Sequence, residues 1–389
     1  MKRAPPKPAS GKKPGGQPGH PKQTRELIPS EKCDVRLDHI PASCKKCSSP
    51  LTGFDSEPER FQVSELPPIK PLVTEHRLHR LTCTCGCVTR GELPTSVRGQ
   101  DGPRLKSAVV LLTGRYRLSK KGASELLGDL FGVSMSASQV CEIEAEVGEA
   151  LQPVVDEVLA AARRLPANVD ETSMGKKRWL WAMVTAVGTV FQIATSRTRG
   201  VLKKLIGPEY ARILTSDRHS LYSHLPGGDH QYCWAHLRRD FQAMIDRHNQ
   251  GSEIGRELLR HSDELFRLWK HVRDGTLGKG AFASQMSHAG KFRTTLTAVL
   301  KRGVLCGCTK TAGTCRQLLE REVSLFRFAF NDGVEPTNNA AERAVRHGVI
   351  WRKQSHGPKS ETGARYLANI WSVVETCRQQ GRRTWEFLS

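Results

Sequence analysis

Three closely spaced apolar runs, ANVDET, RWLWAMVTAVG and TVFQIATSR, set the strongest constraint on how this chain folds. They are rich in β-branched and aromatic residues and are separated by turns at Gly175 and Gly188, so they read as three strands. GVLKKLIG follows as a short helix, ARILTSD as another strand, and HQYCWAHLRRDF as a strand running into a helix. Residues 166–237 are therefore a β-rich core between helical stretches. Before it, PRLKSAVVLLTGRYR and KGASELLGDLFG carry apolar residues near helical spacing, and a further helix starts at Ser136 after the turn GVSMS. That helix–turn–helix order suits DNA binding, with an ordinary helical hairpin as the alternative. After the core, residues 238–330 read as largely helical, with loops at RDGTLGKG and LCGCTKTAGTC. PTNNAAERAVRHG and ETGARYLANIWSVVETCRQQG return to helix.

Acids sit where these elements end. Asp170 closes LPANVD, and Asp217, 47 residues on, closes ARILTSD. Side chains at strand ends project at the rim of a sheet. Glu342 lies 125 residues further, in TNNAAERAVRHGVIWRK. Asn338 and Asn339 are good helix caps and the alanines favour helix, which places Glu342 in a first helical turn. Carboxylates are the hard oxygen ligands that Mg²⁺ and Mn²⁺ prefer. Three of them can converge on a pair of such ions and support cutting and rejoining of a phosphodiester. Arg343, Arg346, Arg352 and Lys353 follow on the same stretch, where they would meet phosphates. The bland alternative is three solvated or capping acids, and Glu171 beside Asp170 shows that carboxylates are not rare here.

Charge supports a polyanionic partner. The net charge is +21 and the isoelectric point is near 9.7, which favours nucleic acid. Residues 1–25 hold seven Lys/Arg, Lys12 and Lys13 among them, and no acid. They are rich in Pro and Gly and read as a flexible basic arm, taken to residue 32. No run of about 18 apolar residues is present, so no membrane span is expected. With no secretory signal, the 12 cysteines are expected to be reduced in a cytoplasm, where clustered cysteines favour metal over disulfide. Cys44 and Cys47 form a C-x-x-C pair, and Cys83, Cys85 and Cys87 follow in TCTCGCV. Cys44, Cys47, Cys83 and Cys85, with Cys87 as the alternative to Cys85, would make a closed structural Zn²⁺ site. Residues 33–97 are thus expected to form a small zinc-dependent module. Cys306, Cys308 and Cys315 form a second group without an obvious fourth ligand.

Several segments together resemble the bacterial insertion-sequence transposases of the IS 66 type. They are GKKPGGQPGH at 11–20, the cysteine turns between 44 and 87, VDET at 169–172, TSDRHSLY at 215–222, CWAHLRRDF at 233–241, TNNAAERAVR at 337–346 and the tail from SETGARYLANIW. The resemblance implies a DDE transposase with Asp170, Asp217 and Glu342 as ligands of two Mg²⁺ (or Mn²⁺) ions. It also implies that Cys233 and His236 form a C-x-x-H element beside the second aspartate, with Trp234 either contacting a displaced base or packing in the core. The implied substrates are the element's terminal inverted repeats and target DNA. A homo-oligomer and accessory proteins from the same element are implied as partners.

The expected architecture is multidomain α+β. It comprises a basic arm (1–32), a zinc-binding module (33–97) and a helical, possible DNA-binding region (98–165). A ribonuclease-H-like α/β catalytic domain (166–370) follows, with a helical insertion at about 240–330, and then a C-terminal helix and tail (371–389).

Overall fold

The computed structural model describes residues 25–97, 99–175 and 177–389. Lys12, Lys13, GKKPGGQPGH and the rest of the arm to residue 24 lie outside the described residues. The chain divides into two compact units, the first ending at Pro68 and the second running from Ile69 to Ser389.

The first unit is held by polar contacts. Arg25 Nη1 donates to Ser64 Oγ at 2.9 Å, Ile28 N–H donates to Gln62 Oε1 at 2.9 Å, and Gln62 Nε2 returns a bond to Ile28 O at 2.7 Å. FQVSEL forms no strand, because nothing pairs with it. Phe54 and Phe61 stand 93% and 89% exposed, and no described residue between 25 and 102 joins the buried apolar core. A stretch this poor in burial has little hydrophobic free energy to set against chain entropy.

The second unit opens with a hairpin, β1 (Arg80–Thr82) and β2 (Val88–Arg90), paired antiparallel around the Cys83–Cys87 turn. Only the end of LVTEHRLHRLTC is strand, again because the rest has no partner. Helices α1 (Pro103–Val110), α2 (Lys120–Phe131), α3 (Ala137–Ala150) and α4 (Gln152–Ala162) follow. Local chemistry sets their limits. Ser119 Oγ accepts from Gly122 N–H at the start of α2, Ser136 and Gln139 cap α3 reciprocally, and Pro153 opens α4. Exposed positions of α3 carry Glu142, Glu146 and Glu149, and the helix holds no Lys or Arg. Such a face repels phosphate.

The sheet is built from β3 (Ala167–Ser173), β4 (Trp179–Val184), β5 (Thr189–Ala194), β6 (Leu214–Ser216) and β7 (His230–Tyr232), with α5 (Arg199–Ile206) between β5 and β6. Its order is β5–β4–β3–β6–β7. The pairs β3–β4 and β4–β5 are antiparallel, whereas β6 pairs parallel with both β3 and β7. A helical block then intervenes: α6 (Trp234–Ile245), α7 (Gly251–Arg273), α8 (Lys279–Met286), α9 (Lys291–Val304), α10 (Thr309–Glu320) and α11 (Arg327–Phe330). LCGCTKTAGTC is a loop only up to Cys308, because α10 begins at Thr309. The chain ends with α12 (Asn339–Ser355), α13 (Glu361–Gln379) and α14 (Thr384–Leu388). Helix α12 covers the stretch TNNAAERAVRHGVIWRK from Asn339 and ends two residues beyond it, and α13 runs unbroken across residue 370.

Two apolar cores result. One joins α1–α4, the sheet, α12 and α13, and includes Val109, Leu127, Val140, Val169, Leu180, Phe191, Val345 and Trp371. The other lies within the helical block, around Phe241, Leu258, Phe282, Leu296 and Phe328. Helix α13 organises the first. Strand β5 is a sheet edge, and α13 satisfies it: Phe191 N–H donates to Ser372 Oγ at 2.8 Å, and Thr376 Oγ1 accepts from Thr189 N–H at 3.1 Å. An edge covered in this way cannot pair with another chain. The same helix holds the N-terminal helices, with Trp371 Nε1 donating to Gly114 O at 3.0 Å and Asn369 Nδ2 to Gly148 O at 2.7 Å.

Helix α12 lies against β3 and β4. Gly348 makes the approach possible, since a Cβ there would run into the side chain of Leu180. At the far end of α12, Gly357 (φ +92°) meets the β3–β4 turn so closely that a Cβ would strike the Met174 carbonyl. Replacing Gly357 by Ala should lower stability by more than about 2 kcal/mol, adding a backbone clash to a left-handed φ. Gly381 is also left-handed (φ +67°) but has open space around it, so Gly381→Ala should cost only about 1 kcal/mol. Urea unfolding of the two variants measures the contrast, and equal losses would disprove the close packing at Gly357.

Candidate catalytic site

Strand register decides which acids can meet. Thr172 pairs with Leu180 and Asp170 with Ala182, and directly opposed residues of an antiparallel pair share a face. Leu180 faces Gly348 of α12, so Asp170 and Thr172 point to the α12 side of the sheet. On the other edge of β3, Asn168 pairs with Thr215 of the parallel strand β6. Asp170 and Asp217 each lie two residues beyond that pair, level with one another on neighbouring tracks about 4.8 Å apart. Asp217 sits just past the end of β6 and is fixed locally, with Oδ1 accepting from His219 N–H at 2.9 Å.

Glu342 comes from the first turn of α12, and Asn338 holds that turn in place. Asn338 is the N-cap but makes no side-chain cap bond within its own helix. Instead its Nδ2 donates to Val169 O at 2.8 Å, immediately before Asp170, while its backbone N–H donates to Cys233 Sγ at 3.1 Å and its carbonyl accepts from Glu342 N–H at 3.1 Å. Asn168 Nδ2 adds a bond to Thr337 O at 3.0 Å. The expected cap thus fastens the helix to the sheet.

Helix α6 supplies the remaining supports. Cys233 N–H donates to Ser216 O at 2.9 Å, tying it to β6. His236 Nδ1 lies 3.4 Å from Glu342 Oε1, and Arg239 Nη2 lies 3.5 Å from Glu342 Oε2. Arg239 Nη1 also contacts His236 Nε2 at 3.2 Å. Asp240 binds Arg218, the neighbour of Asp217, with Oδ2 accepting at 2.6 and 3.2 Å. His236, Arg239 and Asp240 recur at helical spacing, which is the signal that could have marked them in CWAHLRRDF as one functional face. Arg239, Asp240 and the bridging role of Asn338 were nevertheless missed in the sequence.

Electrostatics mark the same place. Asp170 is pushed up to about 7, first by burial and then by the charge of Glu171, with Asp217 and Glu342 adding to the rise. Glu171 alternates to the opposite face of β3, where Arg197 Nε donates to it at 2.7 Å and Tyr222 donates its hydroxyl. Burial still raises Glu171 above the ordinary carboxylate range against those partners. Among the described residues, Cys233, His236 and Glu342 are the three potential ligands whose donor atoms all lie within 4.8 Å of one another. His236 Nδ1 and Glu342 Oε1 are buried without a hydrogen-bond partner. This trio could hold a metal ion. Asp170, Asp217 and Glu342 do not close to that mutual spacing.

Other sequence candidates separate. Trp234 is fully buried, with Nε1 donating to Leu325 O at 2.7 Å, so it packs in the core and cannot reach a displaced base. Arg343, Arg346 and Lys353 are exposed on α12, whereas Arg352 binds Ser173 O. In the first unit, Cys44 and Cys47 form a tight turn, and hydrogen bonds led by Ser49 lower the Cys47 thiol to about 7. In the second, Cys83 N–H donates to Cys87 O and Gly86 N–H to Cys83 O, each at 2.8 Å. There the Cys83 thiol is lowered, chiefly by the Cys85 amide. Cys315 is buried and pushed up to about 12, as suits a core thiol.

Comparison with known proteins identifies a family. The sequence model of the Transposase IS66 family matches residues 98–366. Two relatives come from Sinorhizobium fredii, both described as uncharacterized proteins. One, y4qI, is 27% identical over 92% of this chain and 71% of its own length. The other, y4hP, is 24% identical over 87% of this chain and 68% of its own length. No helix among the described residues is long and apolar enough to cross a membrane.

The raised Asp170 carboxyl has a measurable signature. In the unfolded chain it loses its proton near pH 4, but in the metal-free fold only near 7. The fold binds the extra proton in that window, so stability falls as pH rises through it, and the loss is complete above about 7. With a chelator present, Asp170→Asn should therefore be more stable than the parent at pH 8, by about 1–3 kcal/mol, with a smaller gap at pH 5. A variant no more stable than the parent at pH 8 would refute the crowding of these acids.

Proposed function

The chain belongs to the IS66 transposase family, and from that premise we propose that it cuts transposon ends and joins them to target DNA. The observation that carries the proposal is that strand register and the Asn338 tie bring the segments bearing Asp170, Asp217 and Glu342 to one end of the sheet. Asp170 lies on β3, Asp217 just past the end of the parallel neighbour β6, and Glu342 on a helix fastened to β3. The sheet order, three antiparallel strands followed by two parallel to the first, supports reading this region as a ribonuclease-H-like catalytic domain with a helical insertion.

The acids fit hard divalent cations, and the raised Asp170 carboxyl records burial first and neighbouring negative charge second. Asp170, Asp217 and Glu342 would hold two Mg²⁺ or Mn²⁺ ions. Such ions polarise phosphoryl oxygens and make bound water more acidic. The protein's own part is positioning. His236 and Arg239 orient Glu342, Arg218 and Asp240 steady the turn that carries Asp217, and exposed Arg343, Arg346 and Lys353 meet neighbouring phosphates. In the first reaction a water oxygen bonds to phosphorus and the bond to the 3′ oxygen breaks, leaving a 3′-hydroxyl and a 5′-phosphate. In the second, that hydroxyl bonds to a target phosphorus and displaces a target 3′ oxygen. One phosphodiester replaces another, so no Ser or Tyr nucleophile and no high-energy cofactor is required.

DNA with terminal inverted repeats is the proposed substrate, bound by an oligomer that holds two ends and acts with accessory proteins of the element. The outer face of α3 is acidic, so phosphate contacts are assigned to α12 and to the basic arm, Lys12 and Lys13 included. Structural Zn²⁺ on Cys44, Cys47, Cys83 and Cys85, or Cys87 in place of Cys85, belongs to the same proposal. Its support is that each cysteine turn, taken by itself, lowers a thiol toward deprotonation.

Purified protein with Mg²⁺ and a labelled duplex carrying the DNA ends that flank its gene should cleave and then join strands. Asp217→Ala should lose both steps, by about 10³-fold or more, while DNA affinity is kept. Binding without cleavage under any divalent ion would make the protein a DNA-binding regulator instead, and cleavage without joining would make it a nuclease. Elemental analysis should find a tightly held zinc that is absent from Cys44→Ser/Cys47→Ser. Equal zinc in parent and variant would remove these cysteines as ligands.

A further inference from the structure

Where α12 ends, the turn after β3 and the loop after the helix enclose an open cleft of ≈ 820 Å³. Lys177, Arg178, Arg352 and Lys359 line it together with His356, and no carboxylate among the described residues does. The walls are fixed by backbone packing. Gly175, at φ +108°, has the His356 carbonyl 2.7 Å from where its Cβ would lie, and Gly357 abuts Met174. Arg352 is pinned to Ser173 O. Arg178 is largely covered, with 14% of its side chain exposed, and pairs with Glu361 at 2.8 Å. Its Nη1 is buried without any acceptor. Among the described residues, Glu361 is the one carboxylate paired with these four cations, which leaves an excess of positive charge around the cleft, and a buried guanidinium N–H without an acceptor costs free energy. An anion with several oxygens would relieve both.

Position narrows the choice of anion. Ser173 lies three residues along β3 from Asp170, about 10 Å at 3.3 Å per residue. Ten helical residues separate Glu342 from Arg352, about 15 Å. The cleft thus opens on the same side of the sheet as the acids and a short way along from them. Its cations come from two chain segments, the turn after β3 and the end of α12 with the loop beyond it, so they offer several donors to an extended polyanion. We infer that this cleft binds the phosphodiester backbone of a DNA strand beside the phosphate being cut. The inference rests on the transposase reading and adds the surface that holds the substrate strand, with Lys177, Arg178 and Lys359 as new contacts.

The test is anisotropy of a labelled random-sequence duplex against the full chain over a series of salt concentrations. Lys177 and Lys359 are both exposed, so Lys177→Ala/Lys359→Ala should fold normally, and Lys177→Gln/Lys359→Gln provides a second pair. Lys301→Ala/Lys310→Ala, which removes two exposed charges from the helical block, is the charge-matched control. The cleft pairs should weaken binding about tenfold or more at moderate salt and reduce the slope of log K against log [salt] by about two. The control should stay near the parent. A parent that binds DNA while cleft pairs and control weaken equally overturns the inference and leaves the transposase reading standing. A parent with no salt-dependent DNA binding overturns both.

Discussion

Asn338 is the joint on which the catalytic geometry depends. It is completely buried, and its backbone and side chain reach β3, the β7–α6 junction and the first turn of α12 together. Cys233 extends the joint to β6 through Ser216 O. One residue and its sulfur partner therefore connect the elements that carry Asp170, Asp217 and Glu342. Helix macrodipole and repulsion both act here. The N-terminus of α12 favours the negative charge of Glu342, whereas the neighbouring acids oppose one another, most visibly at Asp170. A firm mechanical joint lets such acids remain close without a cation between them.

Around that joint, one helix bonds both to the sheet and to the N-terminal helices. Ser372 and Thr376 of α13 complete the edge of β5, and Asn369, Trp371 and Tyr366 take up bonds from the N-terminal helices. Helices α1–α4 and the sheet are consequently parts of one packed body. Helix α3 turns Val140, Ile143 and Gly148 into that body.

Local signals made much of this legible in the sequence. Glycine turns and β-rich runs marked β3, β4 and β5, and Ser136 marked the start of α3, because those features act within a few residues. The acids were legible because they end apolar runs. What could not be read depends on neighbours far along the chain. FQVSEL has strand composition but no partner, so it stays irregular. Gly348 lies inside a helical stretch with no local reason to be glycine, and its lack of a side chain admits Leu180 of β4. Asn338 suggested a cap and became a tie to Val169. Trp234 suggested either core or surface, and a carbonyl 91 residues away, that of Leu325, decided it.

That last contact has a wider consequence. Gln231 takes Phe328 N–H on its Oε1, Trp234 N–H reaches Pro336 O, and Trp234 Nε1 reaches Leu325 O, so the helical block leaves the sheet and returns to it at one place. The distance between Asp217 and Glu342 is thereby independent of how much chain runs between them. Closing a longer excursion costs only a slowly growing entropy, and the block keeps its own apolar core. Natural insertions and deletions there would alter what the protein touches while leaving the reacting centre in register, which makes this block the part of the molecule freest to diverge.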